Sequence, residues 1–351
     1  MSELTPETLL ACEQLLQQLQ SRPNADVWTG VVQALVQIGH LDLSRLDVKI
    51  LNSTLRDMES GYRSFEAHRH TRKVAIFGSA RSPVGSPEYQ HALQFAQCVT
   101  HQGFDVMTGG GGGIMEAGNK GAGLENSFGL NIQLPFEQES NPVIAESDRE
   151  INFKYFFIRK LFFLKESDAV VLFPGGFGTQ DEGFETLTLM QTGKAQLMPL
   201  VLVDRPGGRY WHDWDAYIRS NLLARGLVSP EDIEIYTITD DITTACSTIS
   251  NFYRTFHSNR YVDELLVIRL NTELTDASVV ELNEEFSDIL LSGKIEKSGP
   301  LPPEIGGETE ALPRLVMHFN QRNFGRLWQL VRAINRLDCI DHMVNLHPER
   351  K

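Results

Sequence analysis

The stretch AVVLFPGGFGTQDE, residues 169–182, decides the fold of this 351-residue chain. Its first five residues, Ala169 to Phe173, form an unbroken apolar run, which predicts a β-strand that is buried on both faces. The segment from Pro174 to Glu182 predicts a tight glycine-rich loop, and a helix is expected after it over Gly183–Gly193. Glycine lets the backbone approach a ligand closely, and the free N–H groups at a helix start attract anions. The stretch therefore predicts a strand, an anion-binding loop and a helix, in that order.

The same order recurs through the middle of the chain. Short apolar runs predict five further strands, and amphipathic segments between them predict helices. The strands are Val74–Phe77, Phe104–Met107, Phe128–Ile132, Leu200–Val203 and Ile233–Ile238, and the helices are Tyr89–His101, Tyr155–Glu166, Trp211–Ala224 and Ile242–Phe256. Regular alternation of this kind predicts an α/β fold, a Rossmann-like parallel sheet with helices on both faces.

Three regions follow from the change of pattern along the chain. Residues 1–70 are predicted to be a helical N-terminal region, and residues 71–258 the Rossmann-like domain. Residues 259–351 restart with a strand and give the order β-α-β-β-α, which predicts a small C-terminal α+β module. A regulatory role is one hypothesis for this module.

The composition of the chain restricts the partners, the compartment and the cofactors that we expect. The formal net charge of −14 disfavours binding to nucleic acid or to anionic membranes. The four cysteines are far apart, which is typical of a reducing compartment, and no signal peptide or membrane-spanning run is evident. We therefore expect a cytoplasmic protein. His68 and His70 are the closest histidine pair, so we expect no metal site and no cofactor.

Glycine-rich loops follow two further strands. Gly78 to Arg81 comes after the first strand, and Thr108 to Met115 comes after the second. Carboxyl ends of parallel strands meet at one edge of a sheet, where ligands bind. The dinucleotide fingerprint G-x-G-x-x-G fits neither Gly109–Gly113 nor Gly175–Gly178, and Gly113–Gly118 has the glycine spacing of a Walker A motif without its Lys-Ser/Thr. The three loops predict a nucleotide or sugar-phosphate site that is not of the NAD or P-loop type.

Four motifs in this order resemble one family. The segment Pro174–Glu182 matches PGGxGTxxE, the signature of the LOG (Lonely Guy) phosphoribohydrolases, long mislabelled lysine decarboxylases. The pair Arg159-Lys160, the segment Phe77–Ser79 and the segment Thr108–Met115 match the family's other motifs. The resemblance spans about residues 72–255. Glu116 and Arg81 depart from the small LOG enzymes, and in plan the chain looks more like the larger bacterial nucleotide 5′-monophosphate nucleosidases.

The resemblance implies a reaction and a site. Family members hydrolyse the N-glycosidic bond of a nucleoside 5′-monophosphate, releasing a free base and ribose 5-phosphate; both common nucleotides and cytokinin riboside monophosphates are candidate substrates. By motif position the catalytic residues are Glu182, kept ionised by the helix N-terminus, and Arg159. The expected substrate- and phosphate-binding residues are Ser79, Gly110, Gly111, Gly112, Gly113, Met115, Lys160, Gly175, Gly176, Gly178 and Thr179.

A non-catalytic function stays open as an alternative to this enzymatic one. A Rossmann-like fold can also act as a non-catalytic nucleotide-binding sensor, because a fold alone does not specify chemistry.

The resemblance further implies a homo-oligomer, a dimer or larger, and the apolar segment Tyr155–Leu164 is the candidate interface. Burial in the core would explain that segment equally well.

Overall fold

The computed structural model of the protein describes residues 5–134 and 139–340. Their contacts divide the chain into two compact units, Met1–Arg56 and Asp57–Lys351. The first unit contains α1 (Pro6–Leu19), α2 (Ala25–Gly39) and the beginning of α3 (Arg45–Glu66). At the start of α1, the Thr5 hydroxyl accepts a hydrogen bond from the backbone N–H of Thr8 at 3.3 Å, as in an ordinary N-cap.

The second unit is built on a sheet of seven parallel strands in the order β4-β3-β2-β1-β5-β6-β7. The strands are β1 (Lys73–Phe77), β2 (Asp105–Thr108), β3 (Ser127–Ile132), β4 (Glu150–Phe153), β5 (Ala169–Leu172), β6 (Leu200–Val203) and β7 (Tyr236–Thr239). The direction of winding reverses at β1, which pairs with β2 on one side and with β5 on the other. Ligand crevices form at such reversals, so the loops after β1 and β5 border the crevice.

Helices cover both faces of this sheet. They are α4 (Pro87–His101), α5 (Ile114–Ala122), α6 (Phe156–Glu166), α7 (Phe177–Gln191), α8 (Tyr210–Asn221) and α9 (Ile242–Phe252). Every residue of β1, β2, β5 and β6 is buried, which requires packing on both faces of the sheet. The Rossmann-like α/β fold predicted from the sequence is confirmed.

Two elements of this domain differ from the prediction because their sequences carry weak local signals. The edge strand β4 has four residues and is only half buried, so its apolar content is too low to stand out. Helix α5 begins inside the glycine-rich segment and has glycine within it, which lowers helix propensity. Neither segment is predicted to be a strand or a helix from its sequence.

Two other elements of this domain begin three or more residues away from their predicted starts. Helix α7 starts at Phe177 and not at Gly183, so Glu182 lies within the helix. The strand predicted from Ile233 begins at Tyr236, because a 3₁₀ turn occupies Pro230–Glu234. The Ser229 and Asp232 side chains form a capping box that starts this turn.

The C-terminal module contains a four-stranded antiparallel sheet in the order β10-β11-β9-β8. Its elements are β8 (Phe256–Val262), β9 (Leu265–Leu270), α10 (Asp276–Phe286), β10 (Leu290–Ser298), β11 (Arg314–Phe319) and α11 (Phe324–Ile334). The prediction missed β8, so the observed order is β-β-α-β-β-α. Buried Glu304 pairs with Arg269 and Arg314 and ties the loop between β10 and β11 to the sheet.

The contacts place this antiparallel sheet in the same unit as the seven-stranded sheet, whereas the three-region division stays a prediction. Residues 341–351 of the predicted third region lie outside the described part of the chain. None of the described helices is long and apolar enough to cross a membrane.

A single glycine allows α3 to pack on α6. A Cβ atom added at Gly61 would lie 2.4 Å from Cζ of Phe162, a fully buried ring held by Tyr62, Phe65 and Phe153. We expect Gly61→Ala to lower the free energy of unfolding by about 1–3 kcal/mol, because the ring has no room to retreat. Urea denaturation measures this change.

The matched control is Gly30→Ala, since Gly30 is also helical but an added Cβ there meets nothing within 4 Å. Alanine favours a helix over glycine by up to about 1 kcal/mol, so this variant should not lose stability. Equal stability of the two variants would contradict the packing described for Gly61.

Candidate functional site

Three loops meet at the carboxyl ends of β1, β2 and β5, and backbone hydrogen bonds join them. The Ser79 N–H donates to Pro174 O at 3.1 Å, and the Ser79 carbonyl accepts from the Ile114 N–H at 3.0 Å. Gly113 has φ +64°, and a Cβ there would lie 2.3 Å from Ser79 O. Only glycine fits at this crossing, because a side chain would collide with the neighbouring backbone. The loops form one rigid rim.

A cavity of 810 Å³ opens inside this rim. Eight of the predicted site residues contribute to its wall: Ser79, Met115, Arg159, Gly175, Gly176, Gly178, Thr179 and Glu182. The wall also includes five apolar side chains, from β1, the end of β3 and the residues after it, α6 and α7. Two polar side chains, from α7 and α8, complete this set, which is Phe77, Ile132, Leu134, Phe156, Phe177, Gln180 and Tyr210. The structure therefore brings most of the motif residues to one concave surface of a size that suits a small ligand.

Four of the predicted residues do not line the cavity but lie beside it, namely Gly110, Gly111, Gly112 and Gly113. The neighbouring Gly109 does line the cavity. The carbonyl groups of Gly110 and Gly111 are engaged by buried Asn141, whose N–H donates to Gly110 O at 2.8 Å and whose side chain donates to Gly111 O at 3.2 Å. These glycines permit close backbone packing. Their contact with a ligand stays a prediction.

The N-terminus of α7 forms one end of the cavity. Gly176 is the N-cap residue, and Phe177 and Gly178 open the first turn. The first N–H groups of a helix have no carbonyl partner one turn earlier, and the helix dipole adds partial positive charge. Thr179 is buried against Gly175, where a Cβ would lie 2.1 Å from the Thr179 hydroxyl oxygen. This end of the cavity is suited to a phosphate group.

Helix α6 carries Arg159 to the cavity wall. Its side chain is 14% exposed, and its guanidinium lies over the rings of Phe156 and Phe163 at 5.1 and 5.7 Å. Burial lowers the pKa of Arg159, although Glu182 and Asp181 oppose this effect. The buried Nε atom makes no hydrogen bond within the described part of the chain. Arg159 is thus a largely buried cation with a spare donor.

Glu182 lies in the second turn of α7 and is 5% exposed. Burial raises the pKa of its carboxyl to about 7, although Lys160 and Arg159 favour the ionised form. The helix dipole acts mainly within the first turn, so it favours the ionised form of Glu182 only weakly, and the ionisation of Glu182 by the helix N-terminus stays a prediction. The nearest Arg159 nitrogen is 3.9 Å from the carboxylate, too far for a hydrogen bond.

Lys160 is engaged by carboxylates and does not line the cavity, and its binding to the substrate stays a prediction. Its Nζ atom lies 2.7 Å from Asp181, 2.6 Å from Glu185 and 3.8 Å from Glu182. Burial lowers the pKa of Lys160, but the hydrogen bonds to Asp181 and Glu185 prevail and raise it. Lys160 therefore supplies positive charge behind Glu182.

The two residues that depart from the small LOG enzymes lie in different surroundings. Arg81 is exposed at the cavity wall. Glu116 is not part of that wall and accepts a hydrogen bond from the Tyr89 hydroxyl at 3.0 Å. Burial, with the Glu116 hydrogen bond and charge, raises the pKa of Tyr89 to about 12. Arg81 can thus affect a ligand directly, whereas Glu116 joins α5 to α4.

Sequence reasoning missed three residues that support the site. Asp57 of α3 accepts hydrogen bonds from Lys154 N at 2.8 Å and Tyr155 N at 3.3 Å, which caps the start of α6. Asn141 holds the second loop, and Tyr210 donates to Gly175 O at 2.6 Å. All three act on distant segments, so no local pattern marks them. Among the described residues, no group of three or more His, Cys, Asp or Glu side chains is placed to hold a metal ion.

Comparison with known proteins gives one matching family and one curated relative. Residues 107–249 match the family described as possible lysine decarboxylase. A probable cytokinin riboside 5′-monophosphate phosphoribohydrolase of Oryza sativa subsp. japonica is 31% identical over 166 residues, which are 45% of this chain and 63% of the rice protein. The chain therefore aligns with less than two thirds of that relative.

Similar solved structures include two molybdenum-cofactor proteins. The molybdenum cofactor binding protein of Rippkaea orientalis is 16% identical, with 51% of this chain and 94% of that chain covered and a TM-score of 0.36. The Moco carrier protein of Chlamydomonas reinhardtii is 19% identical, with 51% and 94% covered and a TM-score of 0.35. Similarities this distant carry no conclusion about function.

The family match agrees with the motifs and the geometry. It begins at Met107, at the end of β2, and includes the second glycine-rich loop, Arg159, and the loop and helix that carry Glu182. Residues 107–249 of this chain therefore match the family described as possible lysine decarboxylase, the family of the LOG proteins that the sequence motifs resemble.

Proposed function

We propose that this protein hydrolyses the N-glycosidic bond of a nucleoside 5′-monophosphate to a free base and ribose 5-phosphate. The observation that carries the proposal is the buried Glu182 carboxyl, which faces the same cavity as Arg159 and the N-terminus of α7. A pure binding site has no need of a desolvated carboxyl group. The name of the rice relative supports the same reaction class, and its substrate remains part of the proposal for this chain.

The spacing along α7 fits a ribose 5-phosphate. Gly178 and Glu182 are four residues apart, and one helical turn rises about 5.4 Å. A 5′-phosphate at the first N–H groups of the helix would therefore place the ribose ring beside Glu182. Arg159 projects from α6 to the same point, where its unpartnered Nε can donate to a ribose or phosphate oxygen.

The reaction develops positive charge on the ribose, and an anionic group of this site stabilises that charge. As the C1′–N bond breaks, its electron pair stays with the base and positive charge develops on the ribose. An ionised Glu182 stabilises that charge and takes a proton from the attacking water, whose oxygen bonds to C1′. The proton passes to the departing base, so the carboxylate is regenerated. Arg159 holds the substrate, and its positive charge favours the ionised form of Glu182.

We expect base release from at least one member of a panel of AMP, GMP, IMP, CMP, UMP and isopentenyl-AMP, separated by chromatography. Glu182→Gln keeps the shape but not the basicity of the side chain, so its rate should fall by at least about 100-fold. Arg159→Ala should cost a similar factor, because a charged donor to the reacting ligand is lost. The preferred substrate distinguishes common nucleotides from cytokinin riboside monophosphates.

Glu281→Gln is the control, because Glu281 is an exposed glutamate of α10 far along the chain from the motifs. It should retain the wild-type rate. If the Glu182→Gln variant released the base at the wild-type rate, the proposed mechanism would be contradicted. If no base is released while the nucleotides still raise the melting temperature, the protein is a nucleotide sensor.

We also propose that the chain forms a homo-oligomer through α6. The helix is apolar on two sides: Ile158 and Phe163 are buried, whereas Phe157 is 54% and Leu161 44% exposed. Exposed apolar side chains that are neighbours on one helix are typical of interfaces. Phe157→Glu should shift the molecular mass in sedimentation towards the monomer, and Leu227→Glu, an exposed site on a turn, should not. A monomeric wild type would contradict the proposal.

A further inference from the structure

The loop between β5 and α7 has three consecutive carbonyl groups that each accept one hydrogen bond. Pro174 O accepts from Ser79 N at 3.1 Å, and Gly176 O accepts from Gln180 N at 3.1 Å. Gly175 O accepts from the hydroxyl of Tyr210 at 2.6 Å. Two of these donors are backbone groups, so Tyr210 is the side chain that completes the set.

The Gly175 bond fixes a whole peptide group. A trans peptide is planar, and its C=O and N–H point in opposite directions. The peptide that bears Gly175 O also bears the N–H of Gly176, the N-cap residue of α7. A Cβ added at Gly176 would meet nothing within 4 Å, so local packing does not restrain this residue. Tyr210 therefore supplies the side-chain hydrogen bond that fixes the direction of the Gly176 N–H, beside the backbone bonds of the two flanking carbonyl groups.

Tyr210 is itself held in place from three directions. Its backbone N–H donates to the buried carboxylate of Asp204 at 2.8 Å, and its hydroxyl accepts from Gln180 Nε2 at 2.7 Å. Its ring meets the edge of Trp211 at 4.8 Å. Gly208 lets the backbone pass Asp204 closely, since a Cβ there would lie 2.1 Å from the carboxylate. The hydroxyl position is thus preset before a ligand arrives.

We infer that Tyr210 is a positioning residue for phosphate binding: its hydroxyl holds the Gly175–Gly176 peptide so that the Gly176 N–H donates to the 5′-phosphate. The inference rests on the proposed function, because it requires a phosphate at the start of α7. The hydroxyl proton is already given to Gly175 O and is not available to the ligand. Tyr210 therefore acts through the loop.

The test compares Tyr210→Phe with Tyr217→Phe in the full-length protein. Phenylalanine keeps the ring and removes only the hydroxyl, and Tyr217 is an exposed tyrosine of the same helix without a side-chain hydrogen bond within the described residues. The probe is ribose 5-phosphate, measured by calorimetry without turnover. Loss of one aligned N–H to a charged group corresponds to about a tenfold increase in Kd for Tyr210→Phe, with no change for Tyr217→Phe.

Two further readouts separate positioning from general damage. For the best nucleotide substrate, KM should rise by about the same tenfold factor while kcat stays within about twofold, because Glu182 and Arg159 are untouched. Binding of the matching nucleoside, which lacks the phosphate, should be unchanged. Gln180→Leu removes the group that orients the hydroxyl and should raise the Kd for ribose 5-phosphate by a smaller factor.

The outcomes are distinct from those of the hydrolysis assay. Weakened binding of ribose 5-phosphate in Tyr210→Phe supports the inference even if no nucleotide is hydrolysed. An unchanged Kd in Tyr210→Phe overturns it even if hydrolysis is found. Equal losses for the phosphate and the nucleoside ligands also overturn it, as does a wild type that does not bind ribose 5-phosphate.

Discussion

The burial of one carboxyl group, Glu182, is the constraint on which the site depends. An ionised carboxylate loses much of its hydration in such a place, and only nearby cations make its presence tolerable. Lys160 lies 3.8 Å away and Arg159 3.9 Å away, close enough to favour the charge without pairing tightly with it. The resulting pKa of about 7 leaves both forms of the carboxyl accessible near neutral pH.

The fold supplies this arrangement through backbone contacts. The winding of the sheet reverses at β1, which brings the loops after β1 and β5 together. The backbone of Ser79 then joins the two neighbouring loops: its N–H donates to Pro174 O, and its carbonyl group accepts from the Ile114 N–H. Because backbone groups make these bonds, they depend on glycine at the crossing points more than on any particular side chain. Asp57, which caps α6, and Tyr210, which holds Gly175, add the side-chain support.

The sequence predicted the sheet and most of the cavity because both depend on local patterns. Apolar runs mark the buried strands, and the motif around Gly175 marks a loop at the carboxyl end of a strand. The same glycine signal predicts ligand binding by Gly110–Gly113, although glycine serves close packing and ligand approach equally well. A local pattern does not distinguish these uses.

Other properties of the site have long-range causes. Whether Lys160 meets a ligand or a carboxylate depends on α7, which lies next to it only in the folded chain. The pKa of Glu182 depends on the packing around it, and its place in the second turn follows from a helix that begins at Phe177. Asp57 and Asn141 act on segments far from them in sequence. None of these relations leaves a periodic or compositional trace.

The dependence of kcat/KM on pH tests the central claim most directly. If hydrolysis needs the ionised form of a buried Glu182, kcat/KM should rise about tenfold per pH unit below an inflection near pH 7 and level off above it. The measurement uses the best nucleotide substrate between pH 5 and 9 under conditions in which the protein stays folded. A value of kcat/KM that is flat across this range, or that falls as the pH rises towards 7, would contradict the account.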